Sequence, residues 1–442
     1  MLAAINQPAP PPQPLLVSWN ITRLCNLACG HCYLDATRRR HGTREELDTA
    51  AARRIVGDVA ALAPGAMLVF SGGEPLLRRD LATLVREAAA QGLAPVIGTN
   101  GTLLSERQAR RLKEAGTAGV GISVDSADAA FHDRLRGVPG AWRAALRGAA
   151  AARRAGLALL LQVTMFEENR NDLAALADIA ESLGAVALNF FFLVCTGRGA
   201  TQTDLTPAAY EETLTRIVEL QRTRPRLILR ARCAPHLRRL LGLRAGDGDR
   251  HYAAWSSACL AGRGYFRITA RGEVTPCPYI PTIIGNLATD SLREIWERHP
   301  QLLRLRTELP AGKCGDCDFR YSCGGCRARA FARCGDLLAE DPNCAYVRSS
   351  DAQPEPPVTP PAHRELDWEP GARALLERIP AFVRATVKAR LEERAAREGR
   401  GCITLEFMRE CRPPFDFVGR AFGRHLPPEA AIHGDIANGG DR

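Results

Sequence analysis

The sequence predicts an α/β protein built on a parallel sheet, with a cysteine-rich region behind it and a small helical segment near the C-terminal end. Three observations lead there. Between residues 15 and about 195, strand-like and helix-like patterns alternate, the arrangement that yields parallel strands joined by helical crossovers. The fifteen cysteines are grouped rather than scattered. A proline-rich stretch at 351–363, DAQPEPPVTPPAH, separates a last helical pattern from everything before it and reads as a linker.

Residues 1–14 are Pro-rich and read as a flexible arm. Apolar, partly β-branched runs at 15–21, 66–70, 95–98, 119–124, 157–165 and 186–194 predict six strands. Helical patterns at 45–63, 78–91, 104–115, 141–155 and 171–183 lie between them, with Gly92, Gly116, Gly156 and Gly184 where C-caps belong. Six strand–helix units are fewer than the eight of a complete barrel. A helical stretch is expected over 207–243. Residues 259–346 have little periodicity and too few apolar runs for a large core, so metal is the expected staple there. After the linker, Leu375, Ile379, Phe382, Val383, Val387 and Leu391 recur at helical spacing, with Pro380 breaking the pattern or starting a second helix. The expected organisation is an arm over 1–14, a core over 15–243, a Cys-rich domain over 244–350, a linker over 351–365, a helical domain over 366–412 and a loosely ordered tail over 413–442.

With 442 residues, 46% hydrophobic and 24% charged, the chain is no collagen, simple coiled coil or wholly disordered polymer. No uncharged apolar run reaches the about 18 residues of a membrane span. The start, MLAAINQPAPPPQPLL, lacks the features of a signal peptide, so a cytoplasmic, reducing location is expected. The net charge of +10 comes from 59 basic and 49 acidic residues. The basic ones are nearly all arginines interleaved with glutamates, so a nucleic-acid partner is not expected. In a reducing compartment, clustered cysteines indicate metal before disulfides.

Cys25, Cys29 and Cys32 are spaced C-x3-C-x2-C in the loop after the first strand. Three thiolates on one loop can hold three corners of a cubane [4Fe–4S] cluster and leave the fourth iron open to a ligand. The alternative is a zinc knuckle with His31 as the fourth ligand. The stretch CNLACGHCY, with Tyr33 beside the last cysteine, resembles the radical S-adenosylmethionine (radical SAM) superfamily. The resemblance implies a partial (β/α)6 TIM-like barrel. It also implies that SAM chelates the open iron and is cleaved, by one electron, to methionine and a hydrogen-abstracting 5′-deoxyadenosyl radical. A flavodoxin or ferredoxin is the expected electron donor.

Further motifs follow in the family's order. SGGEP at 71–75 resembles its GGEP segment, which implies that Gly72, Gly73 and Glu74 hold the SAM amino group. Glycine permits close backbone approach, and a carboxylate accepts hydrogen bonds from an ammonium. Alone, the segment also reads as a turn with a helix-capping Glu. Thr99-Asn100-Gly101 and Ser123-Val124-Asp125-Ser126 end strands three and four. The resemblance places Asn100 at the cofactor, Ser123 and Asp125 near the ribose, and Val163 and Thr164 near the adenine.

Cys259-x12-Gly272-x4-Cys277, then Cys314-x2-Cys317-x5-Cys323-x2-Cys326 and Cys344, resemble the SPASM extension of radical SAM enzymes. The spacing Cys323-x2-Cys326 departs from the common three intervening residues. The resemblance implies two auxiliary [4Fe–4S] clusters. One would use Cys314, Cys317, Cys323 and Cys344. The other would use Cys259, Cys277 and Cys326, with a fourth position filled by another residue, water or substrate. In isolation such spacing also fits a two-zinc ribbon. Cys195, Cys233, Cys334, Cys402 and Cys411 read as small apolar residues, with Cys195 placed to reach the barrel mouth.

The stretches CGGCRARAFARCGDLLAEDPNC and FFFLVCTGRG resemble the radical SAM proteins of heme d1 and alternative heme synthesis. Residues 366–412 resemble a small helical domain of a light-independent protochlorophyllide reductase subunit. Together they imply a tetrapyrrole substrate. Arg378, Arg384, Lys388 and Arg390 would either meet its carboxylates or form a solvated surface. The alternatives are modification of a ribosomal peptide or protein residue, and a non-catalytic metal-binding protein that never cleaves SAM.

Overall fold

A computed structural model describes residues 12–36, 45–202, 204–243, 258–348, 366–379 and 381–411. The arm up to residue 11, the linker 351–365, Pro380 and the tail from 412 lie outside the described residues.

The frame is one ten-stranded sheet. Its first seven strands are β1 (Leu16–Asn20), β2 (Met67–Ser71), β3 (Ala94–Thr99), β4 (Gly119–Ser123), β5 (Leu159–Met165), β6 (Ala187–Phe192) and β7 (Ile228–Arg232). The last three are β8 (Tyr265–Ile268), β9 (Glu273–Thr275) and β10 (Gly285–Asn286). The order is β10-β9-β8-β1-β2-β3-β4-β5-β6-β7. Every pairing from β8 through β7 is parallel, and only the two pairings of β9, with β8 and with β10, are antiparallel. The crossovers are α1 (Thr49–Leu62), α2 (Leu81–Ala90), α3 (Glu106–Glu114), α4 (Ala129–Arg136), α5 (Ala141–Arg154), α6 (Leu173–Ser182), α7 (Pro207–Thr223) and α8 (Leu237–Leu243). This is the partial TIM-like barrel, extended at both edges.

Strand alternation divides the chemistry between two faces. Val17, Trp19 and Ile21 join Ile55, Val59 and Leu84 in the buried layer between sheet and helices. Ser18 and Asn20 take the opposite, inner face. On β5, Leu161, Val163 and Met165 belong to the helix-side core, which leaves Gln162 and Thr164 facing inward. The α3 helix starts with a capping box, in which Ser105 and Gln108 each bond the other's backbone N–H.

One expectation is corrected. The stretch 207–243 is not one helix: α7 stops before Pro225, which disfavours helical backbone in the residue ahead of it, and β7 follows. Buried Gln221 locks that turn, accepting from Leu229 N (2.8 Å) and donating to the carbonyls of Leu227 (2.9 Å) and Arg224 (3.1 Å). The sheet continues past the expected boundary at 243/244, where β8 pairs with β1 in register Leu16↔Tyr265.

The C-terminal segment forms helices Pro370–Arg378, Ala381–Arg397 and Leu405–Glu410 and a two-strand parallel pair, Asp367–Trp368 with Cys402–Ile403. Trp368, Leu376, Leu391, Ile403 and Phe407 pack in one apolar cluster with Ala94, Val96, Leu160 and Ala187. Those sheet residues sit at the N-terminal starts of their strands. The helical segment therefore covers the inner face at the end opposite the loops that follow β1 and β2. Arg384 donates to the carbonyls of Ile379 (3.1 Å) and Glu377 (2.6 Å), and Lys388 pairs with Glu392 at 3.2 Å. The side chains of Arg378 and Arg390 lie outside the described residues.

Candidate active site

The loop after β1 carries Cys25, Cys29 and Cys32 close enough for each charge to be felt by the others. Backbone donors reach two of the sulfurs: Leu27 N to Cys25 Sγ and Ala36 N to Cys32 Sγ, both 3.4 Å. Arg136 Nη1 lies 3.8 Å from Cys29 Sγ, and Asn100 Nδ2 lies 4.0 Å from Cys25 Sγ. Burial is the main reason the Cys25 thiol is pushed up to about 11, so a bound cation is needed to hold it as thiolate at neutral pH.

Gly72 and Gly73 bring the backbone after β2 onto this loop. Gly73 N donates to Thr22 O (2.7 Å) and Glu74 N to Leu24 O (2.8 Å). A Cβ on Gly73 would collide with the Leu24 carbonyl, and one on Gly72, whose φ is +141°, with the Thr22 carbonyl. The close approach is to the cysteine loop itself, where a ligand was expected. Gly73→Ala is therefore expected to lower stability by about 1–3 kcal/mol through overpacking, read as a lower Tm together with less iron bound. An unchanged Tm and iron content would show that the loop moves aside freely.

Glu74 is fully buried. Its carboxylate accepts from Thr99 Oγ1 (2.7 Å), Asn100 N (2.9 Å) and Leu76 N (3.1 Å), so it caps the short 3-10 turn Pro75–Leu77 and ties β2 to the loop after β3. Burial pushes its pKa up and these donors only partly offset it. Asn100 also donates to Asn26 Oδ1 (2.9 Å) on the cysteine loop.

Asp125 departs furthest from expectation. It is fully buried, and its carboxylate is taken by Arg136, with Nε at 2.7 Å and Nη2 at 2.6 Å, and by Thr164 N at 2.9 Å. The carboxylate expected near the ribose thus joins β4, β5 and α4. Burial would raise its pKa, but Arg136 above all holds it below the ordinary aspartate value. The Val163 side chain lies in the helix-side core. Ser123 and Thr164 end their strands half-buried. The Tyr33 hydroxyl accepts from Asn20 Nδ2 (3.1 Å), and its ring lies 5.1 Å from that of Tyr279.

The second cysteine set divides in two. Cys314, Cys317, Cys323 and Cys344 line one cavity of about 440 Å³ together with His236 and Tyr346. Cys259 and Cys326 are hydrogen-bonded to each other, and Cys277 is near Cys259. A backbone N–H two residues downstream donates to each of six sulfurs. Leu27 serves Cys25, Ala261 serves Cys259, Tyr279 serves Cys277, Phe319 serves Cys317, Gly325 serves Cys323 and Tyr346 serves Cys344.

Three family models match: the Radical SAM superfamily over 19–180, an iron–sulfur cluster-binding domain (SPASM) over 259–318, and the proto-chlorophyllide reductase 57 kD subunit over 368–412. The AdoMet-dependent heme synthase of Methanosarcina barkeri is 37% identical over 341 residues, covering 75% of this chain and 97% of that one. The chain belongs to the radical SAM superfamily. The pre-heme d1 synthase of Dinoroseobacter shibae is 32% identical over 385 residues, 79% of this chain and 92% of its own. Streptococcus suis SuiB bound to precursor peptide SuiA superposes with a TM-score of 0.61 at 16% identity, covering 75% of this chain and 76% of that one. That likeness shows the fold.

This radical SAM protein is accordingly an enzyme that binds [4Fe–4S] clusters and SAM. Its residues fit such groups. Cys314, Cys317, Cys323 and Cys344 stand around one cavity, and backbone N–H donors reach sulfurs in all three cysteine sets, the usual means of tuning cluster thiolates. Among the described residues, no three Cys, His, Asp or Glu side chains gather as the shell of a single metal ion. His31 packs edge-on to Phe166 at 5.5 Å, its Nδ1 buried without a hydrogen-bond partner.

Sequence reasoning passed over two arginines of this radical SAM site. Arg136 links Asp125 to Cys29. Arg198 grips the cysteine loop at four points: Nε to Cys29 O (3.0 Å), Nη1 to Asp35 Oδ1 (2.7 Å) and to Ala36 O (3.0 Å), and its own N to Cys32 O (3.0 Å). Gly197 makes room, since a Cβ there would stand 2.7 Å from the Cys32 and Tyr33 carbonyls. The stretch TGRG at 196–199 carried that signal. Of the unplaced cysteines, Cys195 is half-buried near Asp204 and Arg329, Cys334 is exposed, Cys402 is half-buried and Cys411 belongs to the C-terminal apolar cluster.

Proposed function

We propose that this enzyme acts on a tetrapyrrole bearing carboxylate side chains. The reading is carried by the 37% identity to an AdoMet-dependent heme synthase that it spans almost completely. The inner face offers matching chemistry. Gln162, Asn189 and Arg230 follow in register along β5, β6 and β7, and Arg267 on β8 is in register with Ser18 on β1, all on the side away from the helix core. Arg267 Nε and Asn189 Oδ1 are buried without hydrogen-bond partners, and guanidinium groups suit propionate-like carboxylates.

In this reading Cys25, Cys29 and Cys32 hold the catalytic cluster, which when bound supplies the electron for reductive SAM cleavage. Tyr33, Gly72, Gly73, Glu74, Asn100, Ser123 and Thr164 shape the SAM pocket, while Asp125 and Arg136 hold its floor rigid. Cys314, Cys317, Cys323 and Cys344 hold one auxiliary cluster; Cys259, Cys277 and Cys326 hold another. A flavodoxin or ferredoxin in the cytoplasm serves as electron donor.

The test is anaerobic turnover with dithionite, SAM and, in separate reactions, iron-containing tetrapyrrole carboxylates and peptides. Faster 5′-deoxyadenosine release with a tetrapyrrole, and a changed tetrapyrrole mass, are expected. Stimulation by a peptide alone would replace this reading with peptide modification. Cys323→Ala is expected to keep uncoupled SAM cleavage while losing product. Complete loss of cleavage in that variant would place Cys323 in the first chemical step.

A further inference from the structure

Cys259, Cys277 and Cys326 leave one corner of their cluster without a cysteine. A fourth thiol lies among them. Cys233 is far outside the spacing pattern, at the residue just after β7. Its carbonyl accepts from Tyr210 Oη (3.1 Å) and from Arg329 Nη1 (3.2 Å). The same Arg329 Nη1 meets Asp341 Oδ2 at 3.3 Å, and that oxygen accepts from Cys326 N at 2.7 Å. Cys233 and Cys326 are thus fixed to one guanidinium–carboxylate bridge. Cys326 hydrogen-bonds to Cys259. Gly262 N donates to Pro276 O at 3.2 Å, stapling the Cys259 segment to the residue before Cys277. All four cysteines pack in or against the same buried cluster.

The backbone gives a second, independent sign. Cys233 has φ +57°, the left-handed region that non-glycine residues rarely occupy. Such a conformation is strained and persists where surrounding structure enforces it, commonly at functional sites. Among the described residues the only other non-glycine residue of this kind is Asp35, three positions after Cys32. A cysteine serving only as apolar filler needs no such backbone. Charges on Cys259, Cys277 and Cys326 would all be felt at Cys233, and burial first of all pushes its thiol up to about 12.

We propose that Cys233 is the fourth protein ligand of the auxiliary [4Fe–4S] cluster held by Cys259, Cys277 and Cys326. That cluster then has no open iron and is confined to electron transfer, not substrate ligation. The proposal rests on the assignment of a cluster to those three cysteines.

The experiment compares iron, acid-labile sulfide and the EPR spectrum of the reduced, anaerobically purified full chain. The wild type, Cys233→Ala, Cys233→Ser, Cys259→Ala and, as an exposed control, Cys334→Ala are measured together. Cys233→Ala is expected to lose iron, up to about four per chain, or to change one cluster signal, as Cys259→Ala does. Cys233→Ser, which keeps an oxygen ligand, is expected to retain more iron with shifted g-values. Cys334→Ala is expected to match the wild type. If Cys259→Ala loses iron while both Cys233 variants keep the wild-type complement and spectrum, the fourth-ligand proposal is overturned alone. If Cys259→Ala also loses nothing, that site holds no cluster and the underlying assignment falls with it.

Discussion

Cys29→Ala is expected to abolish reductive SAM cleavage, with 5′-deoxyadenosine at the level of a protein-free control and about four irons fewer per chain. In the proposed assignment three cysteines hold this cluster from one loop, so none has a substitute. The structure adds a reason to choose Cys29: its sulfur is the one facing the Arg136 guanidinium. Removing it deletes both an iron ligand and the anion that Arg136 helps to stabilise. The measurement is chromatographic quantification of deoxyadenosine after dithionite reduction, with iron assayed on the same sample. Normal cleavage by the variant would refute the assignment of the catalytic cluster.

Arg136→Met is expected to destabilise the fold by about 3–5 kcal/mol, the range for removing one partner of a buried ion pair. The side chain of Asp125 is fully buried and that of Arg136 nearly so. Methionine would leave a carboxylate in the core with only the Thr164 N–H and the neighbouring histidines. The pH dependence fixes the sign. In the wild type the Asp125 pKa is lowered, so its contribution is complete above the unfolded aspartate value and fades as pH falls through the folded one. In the variant, burial prevails and the folded pKa rises above the unfolded value. The deficit is then greatest at neutral pH and shrinks as acid protonates the carboxyl. Denaturant midpoints of both proteins at pH 7 and pH 5 test this; a deficit that grew toward pH 5 would contradict the pairing.

The parts of this molecule legible in the sequence are those with local signals. Six strands, their crossover helices and the cysteine loop follow from periodicity, C-cap glycines and spacing. The SGGEP turn was legible as a motif, but its reason was not: Gly72 and Gly73 are short of space against Thr22 and Leu24, a contact between distant segments. Asp125 is invisible as a structural residue because its partner, Arg136, meets it only after α4 turns back. The alternation of β5 sends the Val163 side chain to the helix side, since one residue along a strand reverses the face. The β7 strand was hidden inside an apparent helix whose stop, Pro225, is explicit in the sequence. Cys233 lies outside every recognisable spacing, so folding alone could bring it to the other three thiols.

The C-terminal helices that cover the strand starts give the barrel a direction. With Leu160 and Ala187 sealed against Leu391 and Phe407, the bore has a floor, and traffic through it is one-way in and the same way out. A large planar substrate of the kind proposed would then come and go past the cysteine loop and the auxiliary centres. Product release and cluster reduction would share that doorway, so a docked electron donor could hinder exit. The order of reduction and release thereby becomes a property of the architecture.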